Sequence, residues 1–134
     1  MKKMLRIKKG KAAVLAASLM AMTLVPFGSA LADGTCQVNV TSNPRQESGQ
    51  VYGAGSITCS SSHTITVTVK VQRQGGDGTW DTRGTTTNQN TGTSAGATAI
   101  SPSCQNGTWR TRVDGFTNHF SLGAVIGSSV TVSC

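Results

Sequence analysis

The chain of 134 residues has few large apolar side chains, and aromatic residues make up only 4% of it. All four methionines and five of the six leucines lie before residue 33, so residues 33–134 keep a single leucine, Leu122. A core in this part of the chain must therefore consist of valine, isoleucine and a few aromatic residues. Such a core is thin for its length, and covalent cross-links would matter to its stability.

Acidic residues are also scarce, since the whole chain contains five of them. Four are aspartates near predicted turns or termini, and Glu47 is the only glutamate. Glycoside hydrolysis requires two carboxyl groups that flank one bond. This composition argues against that chemistry.

The positive charge of the chain is concentrated at its beginning. Six of the twelve basic residues lie within residues 2–11, ahead of an apolar stretch at 12–25 and an Ala30-x-Ala32 motif. This order is typical of a secretory signal peptide over residues 1–32, and the apolar stretch is short for a membrane span. Residues 33–134 keep six basic and five acidic residues, a net charge of +1. They therefore lack the clustered charge that nucleic-acid binding requires.

The sequence around the predicted cleavage site indicates release from the cell. The first cysteine, Cys36, does not directly follow Ala32, and no apolar tail precedes Cys134, so we expect neither a lipid anchor nor a membrane partner. The lysine-rich start resembles signal peptides of Gram-positive bacteria. We expect a monomeric, secreted, extracellular protein with a single domain over residues 33–134.

The four cysteines predict two disulfide bonds, because an even number in a small exported domain is typical of such bonds. The spacing lacks a C-x-x-C pair and does not place His63 and His119 as a pair of ligands, so we expect no metal and no cofactor. Antiparallel pairing of the predicted strands would set Cys36 opposite Cys59 and Cys104 near Cys134, and we favour these two pairs. A Cys59–Cys104 bond that crosses a sandwich, as in immunoglobulin domains, stays open as the alternative.

Beyond residue 32 the apolar pattern is that of β-strands. In TITVTVKVQR (64–73) apolar and polar residues alternate, and GGDG (75–78) followed by TWDTR (79–83) indicates a hairpin. The segments around CQVNVT, VYGAGSITC and SSVTVSC add further strands, with Gly53 and Gly55 marking a bulge or a close approach. We predict an all-β fold: a small antiparallel sandwich, immunoglobulin-like or inhibitor-like, of six or seven strands.

Residues 85–100, TTTNQNTGTSAGATAI, are small and polar. They fit an exposed loop with a weak strand at its end, and this is the interpretation that we favour. A hairpin that turns at residues 90–92, with Ala95, Ala97 and Ala99 facing inward, is the alternative.

Several side chains are candidates for catalysis, namely Glu47, His63, Asp114, His119 and Ser121. Histidines, a glutamate and arginines are what a small secreted ribonuclease would use. The size and the two-disulfide plan are similar to those of fungal guanyl-specific ribonucleases, whose helix and tyrosine-rich sheet this sequence lacks. We expect the protein not to be an enzyme, with a small secreted hydrolase as one alternative.

The segment CSSSHTITVTVKV (59–71) and the final Cys134 resemble the proteinaceous α-amylase inhibitors of streptomycetes, which are two-disulfide β-sandwiches. Members of that family block their enzyme with a Trp-Arg-Tyr turn between their first two cysteines. Here the segment between Cys36 and Cys59 has no tryptophan. The pair Trp109-Arg110 lies between the other two cysteines, and no tyrosine follows it. The resemblance implies the fold and an inhibitory role.

Two groups of residues are candidates for binding. Thr64, Thr66 and Thr68 present a regular array of hydroxyl groups, and GTWRTRVDGF (107–116) brings Trp109 close to Arg110 and Arg112. If this segment is a strand, Trp109 faces the core and the arginines face solvent, with Asp114 as a partner. We predict binding of an unknown extracellular protein or glycan, by a hydrolase inhibitor or an interaction module. A secreted antimicrobial protein or receptor-directed toxin is the other alternative.

Overall fold

The computed structural model describes residues 35–118 and 120–134, and all regular structure within them is β-strand. The predicted signal peptide lies outside the described residues. The six strands are β1 (Cys36–Glu47), β2 (Gln50–Gln74), β3 (Trp80–Ser101), β4 (Gly107–Thr117), β5 (Ser121–Ile126) and β6 (Val130–Val132). Every pairing between them is antiparallel. The predicted all-β class, strand number and disulfide count are confirmed.

Two unusually long strands connect the two halves of the fold. β2 has 25 residues and β3 has 22, and they pair along nearly their whole length. The register is interrupted between Thr58 and His63, opposite Ser94 and Gly92. On one side of this interruption β2 also pairs with β1, and on the other side it pairs with β4. The hairpin of β2 and β3 therefore contributes to both layers of the sandwich.

We name the two layers by their strands. Layer A contains β1 together with residues 50–59 of β2 and 94–101 of β3. Layer B contains residues 80–92 of β3, then residues 63–74 of β2, then β4, in this order across the sheet. On its other side β4 pairs with both β5 and β6. The core lies between the inward-facing sides of these layers.

The alternating pattern of residues 64–73 forms the strand that it predicts. The four apolar side chains of this segment of β2 are fully buried: Ile65, Val67, Val69 and Val71. The residues between them are only partly buried, as expected for a strand with one dry side.

The turn between β2 and β3 is closed by Asp77. Its Oδ1 accepts hydrogen bonds from the Thr79 backbone N–H at 3.1 Å and from the Thr79 hydroxyl at 2.7 Å. These bonds favour the ionised carboxylate and lower the pKa of Asp77. Gly78 has φ of +89°, a conformation that suits glycine. The predicted hairpin, with Gln74 opposite Trp80, is confirmed.

The two layers approach each other closely at glycines. A Cβ atom on Gly53 would collide with the Thr111 side chain, and one on Gly55 would collide with Val113. In the opposite direction, a Cβ on Gly115 would lie 2.6 Å from Ile57 Cδ1. Branched side chains of one layer thus occupy the space that glycines of the other leave open. The close approach predicted at Gly53 and Gly55 is confirmed, and the bulge lies on the partner strand β1.

Trp109 lies in the core. It is 0% exposed, and its indole N–H donates to the carbonyl oxygen of Gln105 at 2.9 Å. Thr111 is also buried, and its hydroxyl donates across the core to the carbonyl oxygen of Ser42 at 3.0 Å. The strand interpretation of GTWRTRVDGF is confirmed, because Trp109, Thr111 and Val113 point inward while the residues between them do not.

The two disulfide bonds lie in different parts of the fold. Cys36 and Cys59 stand directly opposite each other on β1 and β2, and Cys104 pairs with Cys134. The predicted pairing is confirmed. The alternative bond between Cys59 and Cys104 is wrong, since both cysteines are bonded to other partners.

Residues 85–100 are not the loop that the sequence favoured. They belong to β3 and pair with β2 from Lys70↔Thr85 to Tyr52↔Ile100. The hairpin alternative is also wrong, because the strand continues past Gly92, although Ala95 and Ala99 are buried as it expected. Small polar residues form a strand here because the long neighbouring strand β2 offers backbone partners on both sides of the register interruption.

The two halves of β3 contact each other. The Asn88 amide donates to the carbonyl oxygen of Gly96 at 2.9 Å, and the Asn90 amide donates to that of Ser94 at 2.7 Å. Gly84 lies directly against the Ile100 carbonyl group, where a Cβ would not fit. The layers are thus joined along β3 by side-chain amides.

Candidate functional site

The outer side of layer B, which we call the B face, combines most of the residues predicted to bind. Strand alternation and register place on it six side chains of β2, six of β3, four of β4 and three of β5. They are Thr64, Thr66, Thr68, Lys70, Gln72 and Gln74; Trp80, Thr82, Thr85, Thr87, Gln89 and Thr91; Arg110, Arg112, Asp114 and Phe116; and Ser121, Ala124 and Ile126.

The register arranges the B face in rows across the strands. Lys70 of β2 lies between Thr85 of β3 and Arg112 of β4. In the neighbouring row Thr68 lies between Thr87 and Asp114. Side chains directly opposite each other have Cβ atoms about 5 Å apart, so each row is a continuous strip of contacts. The basic and hydroxyl-bearing residues therefore share one surface.

Arg110 is held in place from two sides. Its guanidinium carbon lies 4.2 Å from the centroid of the Trp80 ring, and its Nε donates to Gln72 Oε1 at 2.8 Å. Gln72 lies beneath them, and its amide donates to the Thr82 hydroxyl at 3.1 Å. Burial and the neighbouring charge of Arg112 lower the pKa of Arg110 from its ordinary value, although the group stays charged. The arginine is thereby presented in a fixed orientation.

Arg112 is paired within its own strand. Its Nε and Nη2 each lie 3.1 Å from an oxygen of the Asp114 carboxylate. The hydrogen bonds and the negative charge of Asp114 raise the pKa of Arg112. The predicted partnership of these two residues is confirmed.

The threonine hydroxyls of the B face are linked across the strands. Thr64 and Thr91 have their hydroxyl oxygens 3.2 Å apart, and those of Thr68 and Thr87 are 3.0 Å apart. The Gln89 amide donates to the Thr66 hydroxyl at 3.4 Å. The hydroxyl array predicted from residues 64, 66 and 68 of β2 thus extends onto the neighbouring strand β3.

The structure brings together five of the six residues predicted to bind: Thr64, Thr66, Thr68, Arg110 and Arg112. Trp109 is not among them, because it is buried in the core on the opposite side of β4. Its removal from the candidate set follows from strand alternation, which points neighbouring side chains in opposite directions.

Lys70, Trp80 and Phe116 also lie on the B face, although the sequence did not indicate them as binding residues. Phe116 is 49% exposed, and Ile126 beside the same strand is 46% exposed. The signal for Phe116 was its spacing from Asp114, which repeats the period of two. Trp80 could be found only through the register of the hairpin, which places it on the same side of the sheet as Arg110.

The candidate catalytic residues are held by other groups. Glu47 is exposed and lies 4.0 Å from Arg45, at the end of β1 in layer A. Asp114 is bonded to Arg112, and the Ser121 hydroxyl accepts from the Gly123 N–H at 3.2 Å. The His63 imidazole Nε2 lies 3.2 Å from the Ser61 hydroxyl. His119 lies outside the described residues.

Among the described residues one group has the side chains of a metal site. Possible ligand atoms of Cys36, Cys59 and His63 lie within 4.8 Å of one another. The two sulfur atoms are bonded to each other, so the thiolates that a metal requires are not available. The donor set therefore does not fit a metal ion.

Residues 35–118 and 120–134 include no helix with the length and apolar character needed to cross a bilayer.

A comparison with protein-family models and a search of curated proteins both find no match to this chain.

Proposed function

We propose that residues 33–134 act outside the cell by binding, as an inhibitor of a hydrolase or as an interaction module. Residues 1–32 would direct export and be removed after Ala32, and their lysine-rich start favours a Gram-positive bacterium. The two disulfide bonds are consistent with an extracellular protein. We further propose that the protein is a monomer and has no catalytic role.

The observation that carries this proposal is the convergence of the binding candidates on the B face. Arginines, an aromatic ring and hydroxyl groups come from three neighbouring strands of one sheet. Such a surface is ordered before it meets a partner, and so binding costs little conformational entropy. Tryptophan and arginine are also the residues that most often dominate binding energy at interfaces.

The resemblance to α-amylase inhibitors supports an inhibitory role, but with a different tryptophan beside the arginine. In that family one turn presents a tryptophan and an arginine together. Trp109 and Arg110 cannot do so here, because they point to opposite sides of β4. The B face instead presents Arg110 with Trp80, which comes from a different strand. We therefore expect the pair Trp80 and Arg110 to contact the partner.

The test is capture of a partner by the purified mature protein from spent medium and from cell walls of the producing and neighbouring bacteria. The variant Trp80→Ala/Arg110→Ala should lose the partner, and recovered hydrolases should be assayed for inhibition. The matched control is Arg45→Ala/Tyr52→Ala, which removes another stacked pair from the outer side of layer A, where the guanidinium carbon lies 5.6 Å from the ring centroid. This control should keep the partner.

Recovery of no partner, together with turnover of RNA or a glycan by the wild-type protein, would overturn the proposal. In that case His63→Ala and His119→Ala should be tested for loss of turnover with an unchanged thermal melt.

A further inference from the structure

The B face holds positive charge that the protein does not balance. It carries Lys70, Arg110 and Arg112 but a single carboxylate, Asp114, which is bonded to Arg112. The other carboxylates of the described residues are engaged elsewhere. Those of Glu47 and Asp81 lie 4.0 Å and 3.9 Å from arginines, and that of Asp77 closes a turn. Two charges of the B face, on Lys70 and Arg110, are therefore unmatched.

The unmatched groups lie close together and face outward. Lys70 stands opposite Arg112 in the register, and Arg110 lies two residues from Arg112 on the same side of β4. Residues two apart on a strand are separated by about 7 Å, so the register places the three basic residues next to one another on the B face. Arg110 uses its Nε for Gln72, and within residues 35–118 and 120–134 no protein acceptor bonds to its terminal nitrogens. Those nitrogens are available to a carboxylate.

The surroundings of these cations are rich in hydroxyl groups. Thr82, Thr85 and Thr87 flank them on β3, and the paired hydroxyls of Thr68 and Thr87 extend the array along the strands. Each threonine presents both a hydroxyl and a methyl group. A sugar ring has the matching combination, with hydroxyl groups at its edge and C–H groups on its faces.

We propose that the B face binds a carboxylate-bearing polysaccharide, with carboxylates at Lys70 and Arg110 and sugar hydroxyls on the threonine rows. This inference rests on the proposed function and names its ligand. An acidic protein segment would satisfy the cations but would leave the hydroxyl array without a matching partner. A neutral polysaccharide would leave the two charges unmatched.

The experiment measures binding of the full mature protein to polygalacturonate at low ionic strength, by titration calorimetry and by retention on the immobilised polymer. We expect binding to polygalacturonate, much weaker binding to dextran, and loss of affinity as salt is raised, because exposed charges are screened. Equal binding to dextran, or no binding to polygalacturonate, would overturn the inference.

Two matched arginine variants locate the site. Arg110 and Arg45 both stack over an aromatic ring, but on opposite faces of the sandwich. Arg110→Met should weaken binding to polygalacturonate by roughly tenfold, the effect of about 1.4 kcal/mol, and Lys70→Met should weaken it several-fold. Arg45→Met should change affinity by less than about twofold, and an equal loss in Arg45→Met would contradict the assignment. Thermal melts confirm that each variant is folded.

A double threonine variant separates a glycan from an acidic protein segment. Thr66→Val/Thr68→Val removes two hydroxyls while keeping side-chain shape and strand preference. It should bind polygalacturonate several-fold more weakly and poly-glutamate unchanged. If wild type binds both polymers equally and this variant is unaffected, the glycan assignment is overturned while the B face stays a binding site. If neither polymer binds but Trp80→Ala/Arg110→Ala still abolishes capture of a partner, this inference fails and the proposed function stands.

Discussion

Layers A and B are built from the same two long strands, yet they divide the available side chains unequally. The inward side of layer A carries Gly53 and Gly55, whereas the inward side of layer B carries Trp109, Thr111 and Val113. With a single leucine beyond residue 32, the chain cannot fill both sides of the core with large residues. Layer B carries the largest buried side chain, Trp109, and glycines of each layer leave room for branched side chains of the other, as Gly115 does for Ile57.

The outer sides of the two layers also differ in side-chain size, and layer B again carries the larger residues. Along the middle of layer A the outward residues are small, with Ala54, Ser56, Gly96 and Thr98 in neighbouring positions. The B face carries Trp80, Arg110, Arg112 and Phe116. Layer B is thus the layer with large side chains on both sides, and layer A supports it. The proposed binding surface therefore lies on the layer whose outer side carries the larger side chains.

The largest expected effect concerns the two tryptophans of layer B. Trp109→Ala should lower the free energy of unfolding by about 3–5 kcal/mol, because it leaves a large cavity in a small core. Trp80→Ala should cost about 1 kcal/mol, mainly the stacking of Arg110. Urea denaturation of both variants measures the difference, and similar values would contradict the assignment of Trp109 to the core and Trp80 to the surface.

Removal of each disulfide compares a bond within layer A with a bond between the β3–β4 connection and the residues after β6. The bonds close loops with sequence separations of 23 and 30 residues. Cys36→Ser/Cys59→Ser and Cys104→Ser/Cys134→Ser should each lower stability by about 3–4 kcal/mol, because the unfolded chain gains conformational freedom. Thermal and urea unfolding provide the measurement. A cost below about 1 kcal/mol for either variant would mean that the fold does not depend on that cross-link.

Glycine substitutions test whether layer A makes room for layer B. Gly55→Ala should cost about 1–3 kcal/mol, since the new methyl group collides with Val113. Gly96→Ala is the matched control on the outer side, where the nearest atom to an added Cβ, the Gly55 carbonyl oxygen, is 3.5 Å away. Equal stability of the two variants would mean that the layers are less closely packed than the contact between Gly55 and Val113 requires.

The ion pair of the B face should contribute little to folding. A double-mutant cycle with Arg112→Gln and Asp114→Asn should give a coupling of at most about 1 kcal/mol, because the arginine side chain is 36% exposed and solvent screens the charges. The coupling should shrink as salt is raised. A coupling of several kcal/mol, or one that salt leaves unchanged, would show that the pair acts as a buried one.

The smallest expected effect is that of pH on the hairpin turn. The folded-state pKa of Asp77 lies below its ordinary value of 3.8, so its hydrogen bonds stabilise the protein above that pH. This contribution should disappear as pH falls through the lowered pKa. The melting temperature of Asp77→Ala should be below that of the wild type at neutral pH and should converge with it in strong acid. A constant difference across this range would contradict the role of the carboxylate.

The period of two allowed much of the fold to be predicted from the sequence. It placed Arg110 and Arg112 on one side of β4 and Trp109 on the other, and the phases of the strands led to the correct disulfide pairs. These inferences are local, or depend on neighbouring strands, so alternation is enough to support them.

Three features could not be predicted, because each depends on contacts between distant residues. Residues 85–100 have the composition of a loop and become a strand only beside β2. VYGAGSITC and TITVTVKVQR were predicted as separate strands, although β2 continues through residues 60–62 into the second layer. Trp80 joins Arg110 only through the cross-strand register. Local preference is weak in such segments, and tertiary contacts decide their structure.

The self-contact of β3 has a consequence for aggregation. Within the described residues β3 pairs only with β2, so its other edge is open, and residues 84–101 contain no charge. A long, uncharged edge is ordinarily a template on which other chains assemble. Here the amides of Asn88 and Asn90 occupy the carbonyl groups of Gly96 and Ser94, and the bend brings the two halves of the edge against each other. The edge of β3 carries no charged side chain that would repel another strand. Its own asparagine amides instead cover part of its backbone.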